Sequence, residues 1–346
     1  MHRQRFTAFS DRQVEVPESS RHALITGISG QDGWYLAKRL LDLGHPVLGT
    51  SHRSDITSLD VGGVRVPVRQ LDARDSSGIA ELVRSERPAL VFNLAARASS
   101  AQLFDDPLAT AEVNGMAVAR WLEAIRQESP STRFCQASSS EIFAGAATCP
   151  QNESTARTPL NAYGAAKAYA DHLVAAYRSK HALFACSAIL FPHESPRRPG
   201  HFLVRKVVRA VARIERGLDA QVVLGDLHAT RDWGYAPDYV EAMRKMLEAD
   251  EPRDFVIATG EAHTVGEVCA VAFAHVGLDW RSHVVVDDSF KRQPESVLRV
   301  GDAARARASL SWAPSHTFEQ LVTLLVDADR EALRQEKGSG EVNARS

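Results

Sequence analysis

A hydroxyl, a carboxylate, a phenol and an ammonium are gathered in one stretch of the chain, from Ser138 to Lys167. It opens Ser138-Ser139-Ser140-Glu141 after an apolar run and closes Tyr163-Gly164-Ala165-Ala166-Lys167 within a predicted helix. Tyr163 and Lys167 are four apart, so a helix stacks them on one face. An ammonium near a phenol favours the phenolate and lowers its pKa. Such a tyrosine can take a proton from an alcohol while hydride leaves the same carbon, with Ser139 hydrogen-bonded to that oxygen. Glu141 says more, because simple hydride transfer needs no second base. Once the alcohol is a ketone, the C–H next to it is acidic, and a carboxylate could remove that proton. From the residues alone, Glu141 could also cap a loop, and a tyrosine four before a lysine is common by chance.

Placing these groups requires a sheet edge. His22–Thr26 is a short apolar run, then Gly27, Gly30 and Gly33 precede helical periodicity from Trp34 to Leu43. Glycines let a strand-to-helix turn approach a pyrophosphate, and the helix N-terminus offers free N–H groups. An ordinary strand–helix turn is the alternative. Pro46–Thr50 reads as a second strand. NAD-specific folds place Asp or Glu roughly 20 residues beyond the glycines, and Arg53 stands there instead. Arginine favours a 2′-phosphate, so NADP is the expected cofactor; a solvated surface arginine is the plainer reading. A strand at Val64–Leu71 leads to Asp72 and Ala73, a helix spans Ser76–Arg84, and a strand Leu90–Leu94 ends Asn93-Leu94-Ala95-Ala96. A long helix follows Pro107 to about Gln127, and Arg133–Ala137 is the next strand, with Ser138–Glu141 at its carboxyl end. This alternation predicts an α/β fold with a doubly wound parallel sheet.

Composition narrows the partners. The 346 residues carry a formal net charge of -2, with 44% hydrophobic and 24% charged residues. That is ordinary globular composition at about two domains' length. Lys and Arg are scattered, so neither nucleic acid nor an anionic membrane is expected as partner. No apolar run approaches the roughly 18 residues that span a bilayer. Cys135, Cys149, Cys186 and Cys269 lack metal-ligand spacing, no metal site is expected, and reduced thiols in the cytoplasm fit.

Several runs together resemble a known family. They are Ile25-Thr26-Gly27 with Gly30-Gln31-Asp32-Gly33, Asn93-Leu94-Ala95-Ala96, Gln136-Ala137-Ser138 through Glu141, and Tyr163 with Lys167. Further on come His193-Glu194-Ser195-Pro196-Arg197-Arg198, Arg205-Lys206, Arg231-Asp232-Trp233-Gly234 and Ile257-Ala258-Thr259-Gly260. Over residues 22–330 the chain resembles extended short-chain dehydrogenase/reductases and, within them, the GDP-mannose 4,6-dehydratase family. The resemblance implies a Rossmann domain at 21–191 and a smaller, mainly C-terminal α/β substrate domain at 192–335. Segments near 230–260 would return to the sheet, with flexible ends at 1–20 and 336–346. It implies NADP held by Gly27, Gly30, Gln31, Asp32, Gly33, Arg53, Asp72, Ala73, Leu94, Ala95, Tyr163, Lys167, His193 and Arg198. The implied substrate is a nucleotide sugar, GDP-mannose above others, with Ser140, Glu194, Arg205, Lys206, Arg231, Arg292 and Glu295 binding it. The implied cycle oxidises carbon 4 with Tyr163 as base and Ser139 and Lys167 assisting. Glu141 then removes the carbon 5 proton, water leaves carbon 6, and hydride returns there. A homodimer or homotetramer is expected.

Departures fall mainly at the substrate lining. The family's catalytic threonine is Ser139 here, and its Tyr-Gly after the glutamate is Phe143-Ala144. Its Gln-Ser-His is Arg97-Ala98-Ser99, two asparagines are Pro192 and Asp226, and Thr230 replaces an arginine. The loop after Arg53 is shorter than the family's, where it helps to build a tetramer. A related dehydratase, an epimerase or a uronate decarboxylase acting on another donor remains open, as does an inactive NADP-binding regulator.

Overall fold

The computed structural model describes residues 22–98, 106–287, 289 and 298–343, with side chains to Glu336. The expected extension at 1–20 lies outside the described residues, as do Arg292, Glu295 and Ser99.

The first half alternates strands and helices: β1 (Ala23–Thr26), α1 (Gln31–Asp42), β2 (Val47–Ser51), β3 (Ser58–Val61), β4 (Val64–Gln70), α2 (Ser76–Glu86) and β5 (Leu90–Asn93). There follow α3 (Pro107–Ala111), a π-turn at Glu112–Met116, α4 (Ala117–Glu128), β6 (Arg133–Ala137), α5 (Ala162–His181) and β7 (Ala185–Leu190). The second half holds β8 (His193–Glu194), α6 (Leu203–Glu215), β9 (Val222–Leu224), β10 (Thr230–Arg231), β11 (Gly234–Tyr235) and α7 (Ala236–Glu248). It ends with β12 (Phe255–Ile257), β13 (His263–Thr264), α8 (Val265–His275), β14 (Val284–Val286), α9 (Ala304–Leu310) and α10 (Phe318–Asn343).

The main sheet runs β12-β7-β6-β5-β1-β2-β4-β3. Its pairings are parallel except for β3, which runs antiparallel to β4. From β1 the chain winds outward through β2 to β4, then returns to β5 on the other side of β1. The strand order therefore reverses between β1 and β5, and such a switch point opens a crevice at the carboxyl ends of the strands. Register sets Thr26 against both Thr50 and Asn93 there.

Strand residues alternate between two apolar layers, as the period of two requires. Ile25, Phe92, Cys135 and Cys186 pack in the layer with α1, α7 and α9. Leu24, Val91, Phe134 and Ala185 pack with α2, α4 and α5. A third cluster joins Val204, Val207, Val208 and Val211 of α6 to Val268 and Phe273 of α8 and Leu321, Val322 and Leu325 of α10. Fully burying each such aliphatic side chain contributes about 1.5–3 kcal/mol, so this cluster gives the second half a core of its own.

Three elements differ from the sequence reading. β3 was not foreseen; its turn at Gly62 and Gly63 takes φ of 62° and 87°, which two glycines adopt without strain. The helix after Pro107 is broken by the π-turn. The last helix runs on to Asn343, through Gly338 and Gly340, where a flexible end from 336 was expected.

Candidate active site

At the switch point the glycines are needed sterically. A Cβ on Gly33 would lie 2.6 Å from both Gly27 O and Ile28 Cα, and Gly27, at φ 66°, stands against the Ala95 backbone. Beneath the turn Thr26 Oγ1 donates to Asn93 Oδ1 (2.8 Å) and accepts from Leu94 N (3.0 Å) and Ala95 N (2.9 Å). Asn93 Nδ2 donates on to Gln136 Oε1 (2.7 Å), tying β1, β5 and β6 at one level. The N-termini of α2, α5 and α8 are capped by Asp75, Asn161 and Thr264, whereas that of α1, at Gly30, has no side-chain cap. Uncapped N–H groups beside glycines fit a pyrophosphate.

Gln31 and Asp32, in the first turn of α1, lock the turn onto β8. Gln31 Oε1 accepts from Ser195 Oγ (2.7 Å), and Gln31 Nε2 reaches His193 O (3.3 Å). His193 Nε2 meets Asp32 Oδ2 at 3.0 Å while its Nδ1 meets Phe191 O at 2.7 Å, and its ring stacks on Tyr239. Burial acts to raise the Asp32 pKa, but His193 and Arg198 outweigh it and the net shift is downward. Glu194 is 3% exposed; burial pushes its pKa up against Arg198, whose Nε lies 3.5 Å away. Glu194 Oε2 and Arg198 Nε are buried without a hydrogen-bond partner, so polar capacity is left at this edge. Arg53 stands just past β2, exposed and paired with Asp55 (2.5 Å). Asp72, past β4, pairs with Arg74 (2.6 Å), which holds its carboxyl down at about 2.

The reactive groups meet at the end of β6. Ser139 caps a 3₁₀ turn over Ser140–Phe143, its Oγ accepting from Glu141 N at 3.2 Å, and it acts to lower the pKa of the neighbouring Tyr163 phenol. Lys167 is buried; its Nζ donates to Ala137 O (2.7 Å) and lies 5.7 Å from the Tyr163 ring centre. Here the expected pKa logic fails. Burial drives the phenol up to about 12, more than the Ser139 hydrogen bond lowers it, and drives the ammonium down to about 8. One of the three ammonium N–H donors goes to the strand end, and burial, not helix spacing, decides the direction at the phenol. Asp171, one turn beyond Lys167, is buried too and accepts from Ser138 Oγ (2.7 Å); burial lifts its pKa to about 6.

Glu141 reaches the same place from the 3₁₀ turn, its side chain 22% exposed. Oε1 accepts from Arg299 Nη1 (2.5 Å) and Oε2 from Asn161 Nδ2 (2.8 Å). Burial acts to raise its pKa, but Arg299, Asn161 and Arg231 prevail and the net shift is downward.

The substrate set is divided. Arg231 acts electrostatically on Glu141, while its Nη1 donates to Thr230 O (2.6 Å). Ser140 is buried beside Glu141. Lys206 Nζ donates to Val223 O at 2.7 Å. Arg205 is 7% exposed and forms a two-pronged ion pair with Asp329 (2.5 and 2.9 Å), pinning α6 to α10. In this structure that pair braces the fold, at a residue expected to bind the nucleotide sugar. Sequence reasoning missed Arg299, Asn161 and Asn114, and gave Asn93 no role of its own. Asn114, in the π-turn, bonds both Arg97 N (2.9 Å) and Arg97 O (3.1 Å). Asn161 carried a signal, an Asn at the N-cap of the helix that holds Tyr163; Arg299 carried none.

A doubly wound sheet with a glycine-lined helix N-terminus at its switch point, and a Ser-Tyr-Lys set on the same edge, defines the extended short-chain dehydrogenase/reductase class. A solved UDP-glucose 4-epimerase from Thermus thermophilus, in complex with NAD, superposes with a TM-score of 0.76 at 27% identity, over 90% of this chain and 99% of that one. RMD from Pseudomonas aeruginosa, complexed with NADPH, matches the fold with a TM-score of 0.76 at 22% identity, over 90% and 99% of the two chains. In sequence, GDP-mannose 4,6 dehydratase 2 of Arabidopsis thaliana is 40% identical over 337 residues, covering 93% of this chain and 90% of that protein. The human GDP-mannose 4,6 dehydratase is 39% identical over 352 residues, covering 92% and 94%. The GDP-mannose 4,6 dehydratase family model matches residues 24–325. The chain belongs to the GDP-mannose 4,6-dehydratase family. Among the described residues no helix is long and apolar enough to cross a membrane.

Proposed function

We propose that the chain is an NADP-dependent lyase that converts GDP-mannose to GDP-4-keto-6-deoxy-mannose. The observation that carries this reading is the Glu141 carboxylate held ionised beside the Ser139–Tyr163–Lys167 set. A second base is superfluous for plain oxidation and necessary for elimination. The bound dinucleotide supplies a hydride acceptor at carbon 4 and a donor at carbon 6. Gly27, Gly30 and Gly33 would cradle its pyrophosphate against α1, Leu94 and Ala95 would line it, and Asp72 and Ala73 would border its far end. Arg53, exchanging Asp55 for the 2′-phosphate, supports NADP over NAD.

Tyr163 receives the proton of the 4-hydroxyl. It does so as the phenolate; burial by itself pushes the phenol up to about 12, so the phenolate needs the positive charge that Lys167 and a bound oxidised nicotinamide would supply. Ser139 steadies the oxygen as it becomes a carbonyl. Glu141 then takes the carbon 5 proton and passes it to the 6-hydroxyl, which departs as water and leaves Glu141 ionised again. Among the described residues, Arg231 and Lys206 are the cations of the set that would meet the diphosphate.

Glu141→Gln keeps the shape and removes the base. The expected outcome is retained NADP binding and carbon 4 oxidation, with no solvent deuterium entering carbon 5 and no alkali-absorbing keto-deoxy sugar. Normal turnover by this variant would overturn the reading. Pro192 and Asp226, whose Oδ1 accepts from His228 N, support a second reading in which the donor is another nucleotide sugar. A screen of GDP-, UDP-, CDP- and dTDP-sugars for carbon 5 exchange separates the two.

A further inference from the structure

We propose that Arg299 is a positioning residue for the elimination step, the group that fixes where the Glu141 carboxylate stands. This rests on the reading of Glu141 as the carbon 5 base.

Arg299 comes from far along the chain, 158 residues from Glu141, and the structure takes trouble to deliver it. Gln151, wholly buried, grips the residues on either side. Gln151 N donates to Val300 O (2.8 Å) and Val300 N donates to Gln151 Oε1 (3.1 Å). Gln151 Nε2 donates to Leu298 O (3.0 Å), and Asp302 N donates to Gln151 O (2.8 Å). Asp232, buried under the Arg231-Asp232-Trp233-Gly234 loop, accepts from Gly301 N (3.1 Å) and from Thr259 N and Gly260 N. A backbone clamped at four neighbouring positions presents the guanidinium at one place.

At the other end the two carboxylate oxygens are told apart. Arg299 holds Oε1, and Asn161 holds Oε2 while its own Oδ1 caps the helix that carries Tyr163. The base is thus fixed relative to the phenol through α5 and relative to the C-terminal segment through Arg299. The groups facing Glu141 are Arg299, Arg231 and Asn161, with Tyr163 also within electrostatic reach. Arg299 is the strongest of those opposing the effect of burial, so its removal leaves a buried carboxylate less able to ionise. The ion pair also makes Glu141 a weaker base than a free glutamate, and a fixed approach to the carbon 5 proton is what offsets this.

The test is the pH profile of kcat and of carbon 5 deuterium exchange with GDP-mannose, for the wild type and for Arg299→Gln, Arg299→Lys and Glu141→Gln. Arg299→Gln should lose kcat on the order of 10²-fold with little change in KM, and its acid limb should move upward by about one pH unit or more. Arg299→Lys, which keeps the charge, should recover most of the rate and return the limb toward the wild-type position. NADP binding and thermal melting report whether each variant is folded. If Arg299→Gln does not fold, Arg299→Met keeps the apolar stem and gives the same readout. An unmoved acid limb in a folded neutral variant, or a lysine variant no better than the glutamine one, would overturn the proposal. Exchange surviving in Glu141→Gln would instead overturn the reading of Glu141, so the two failures are distinguishable.

Discussion

Two arginines of the β1–β5 half and two of the region after β7 treat charge in opposite ways. In the first, Arg53 pairs with Asp55 and Arg74 with Asp72, both exposed and both between residues two apart. In the second, Arg205 reaches Asp329 across 124 residues and Arg299 reaches Glu141 across 158, each arginine nearly buried. The first half would meet the proposed dinucleotide with backbone: a glycine turn, an uncapped helix and small residues after β5. Its exposed ion pairs contribute little to stability and can exchange partners. The later half uses several of its charges to hold itself together, so a cation there is not by default a ligand for phosphate.

The Arg205–Asp329 pair is the sharpest place to break this comparison. Removing one partner of a buried pair costs about 3–5 kcal/mol, so Asp329→Ala and Arg205→Met should each lower the melting temperature by many degrees. The KM for the nucleotide sugar, measured at a temperature where the variant is folded, should stay within about twofold of the wild type, a change worth less than one hydrogen bond. A large rise in KM without loss of stability would return Arg205 to the diphosphate. Next in size is Arg53. Charge-assisted hydrogen bonds contribute about 1.5–3 kcal/mol, so Arg53→Ser should weaken NADP by roughly 10- to 100-fold in titrations while leaving NAD nearly unchanged. Equal affinity of the unaltered chain for both dinucleotides would sink that expectation. The smallest effect is expected at Ser139→Thr. The hydroxyl that meets Tyr163 and Glu141 N is kept, so kcat should change by less than about threefold, within the reach of a preserved hydrogen bond. A greater loss would mean that the added methyl group clashes in the 3₁₀ turn.

Local signals were legible where one residue's physics decides the outcome. Gly27 and Gly33 announced the turn because a Cβ on either would crowd the backbone of Ala95 or Ile28. The alternation of apolar strands with helical periodicity announced a doubly wound sheet, whose two faces Leu24 and Ile25, like Phe134 and Cys135, fill in turn. β3 escaped because Ser58–Val61 is short and half polar, although Gly62-Gly63 is a hairpin signal. The π-turn escaped because nothing in the apolar spacing of Pro107–Gln127 distinguishes it from continuous α-helix. The direction of the Tyr163 shift escaped for a different reason. Four-residue spacing puts Lys167 on the same face, but whether its ammonium meets the phenol or the Ala137 carbonyl depends on how deeply α5 packs against β6.

The sequence by itself therefore determined the doubly wound sheet and the glycine turn and nominated the Ser139, Glu141, Tyr163 and Lys167 set, because those follow from periodicity, from side-chain size and from functional groups at a strand end and on the helix that follows. Only the tertiary structure decided that Arg205 braces α6 against α10, that Lys167 turns to the strand, and that Arg299 and Asn161 share the Glu141 carboxylate. Each of those depends on burial and on partners more than a turn away, and the strength of a charge–charge contact is set by the solvent the fold leaves around it.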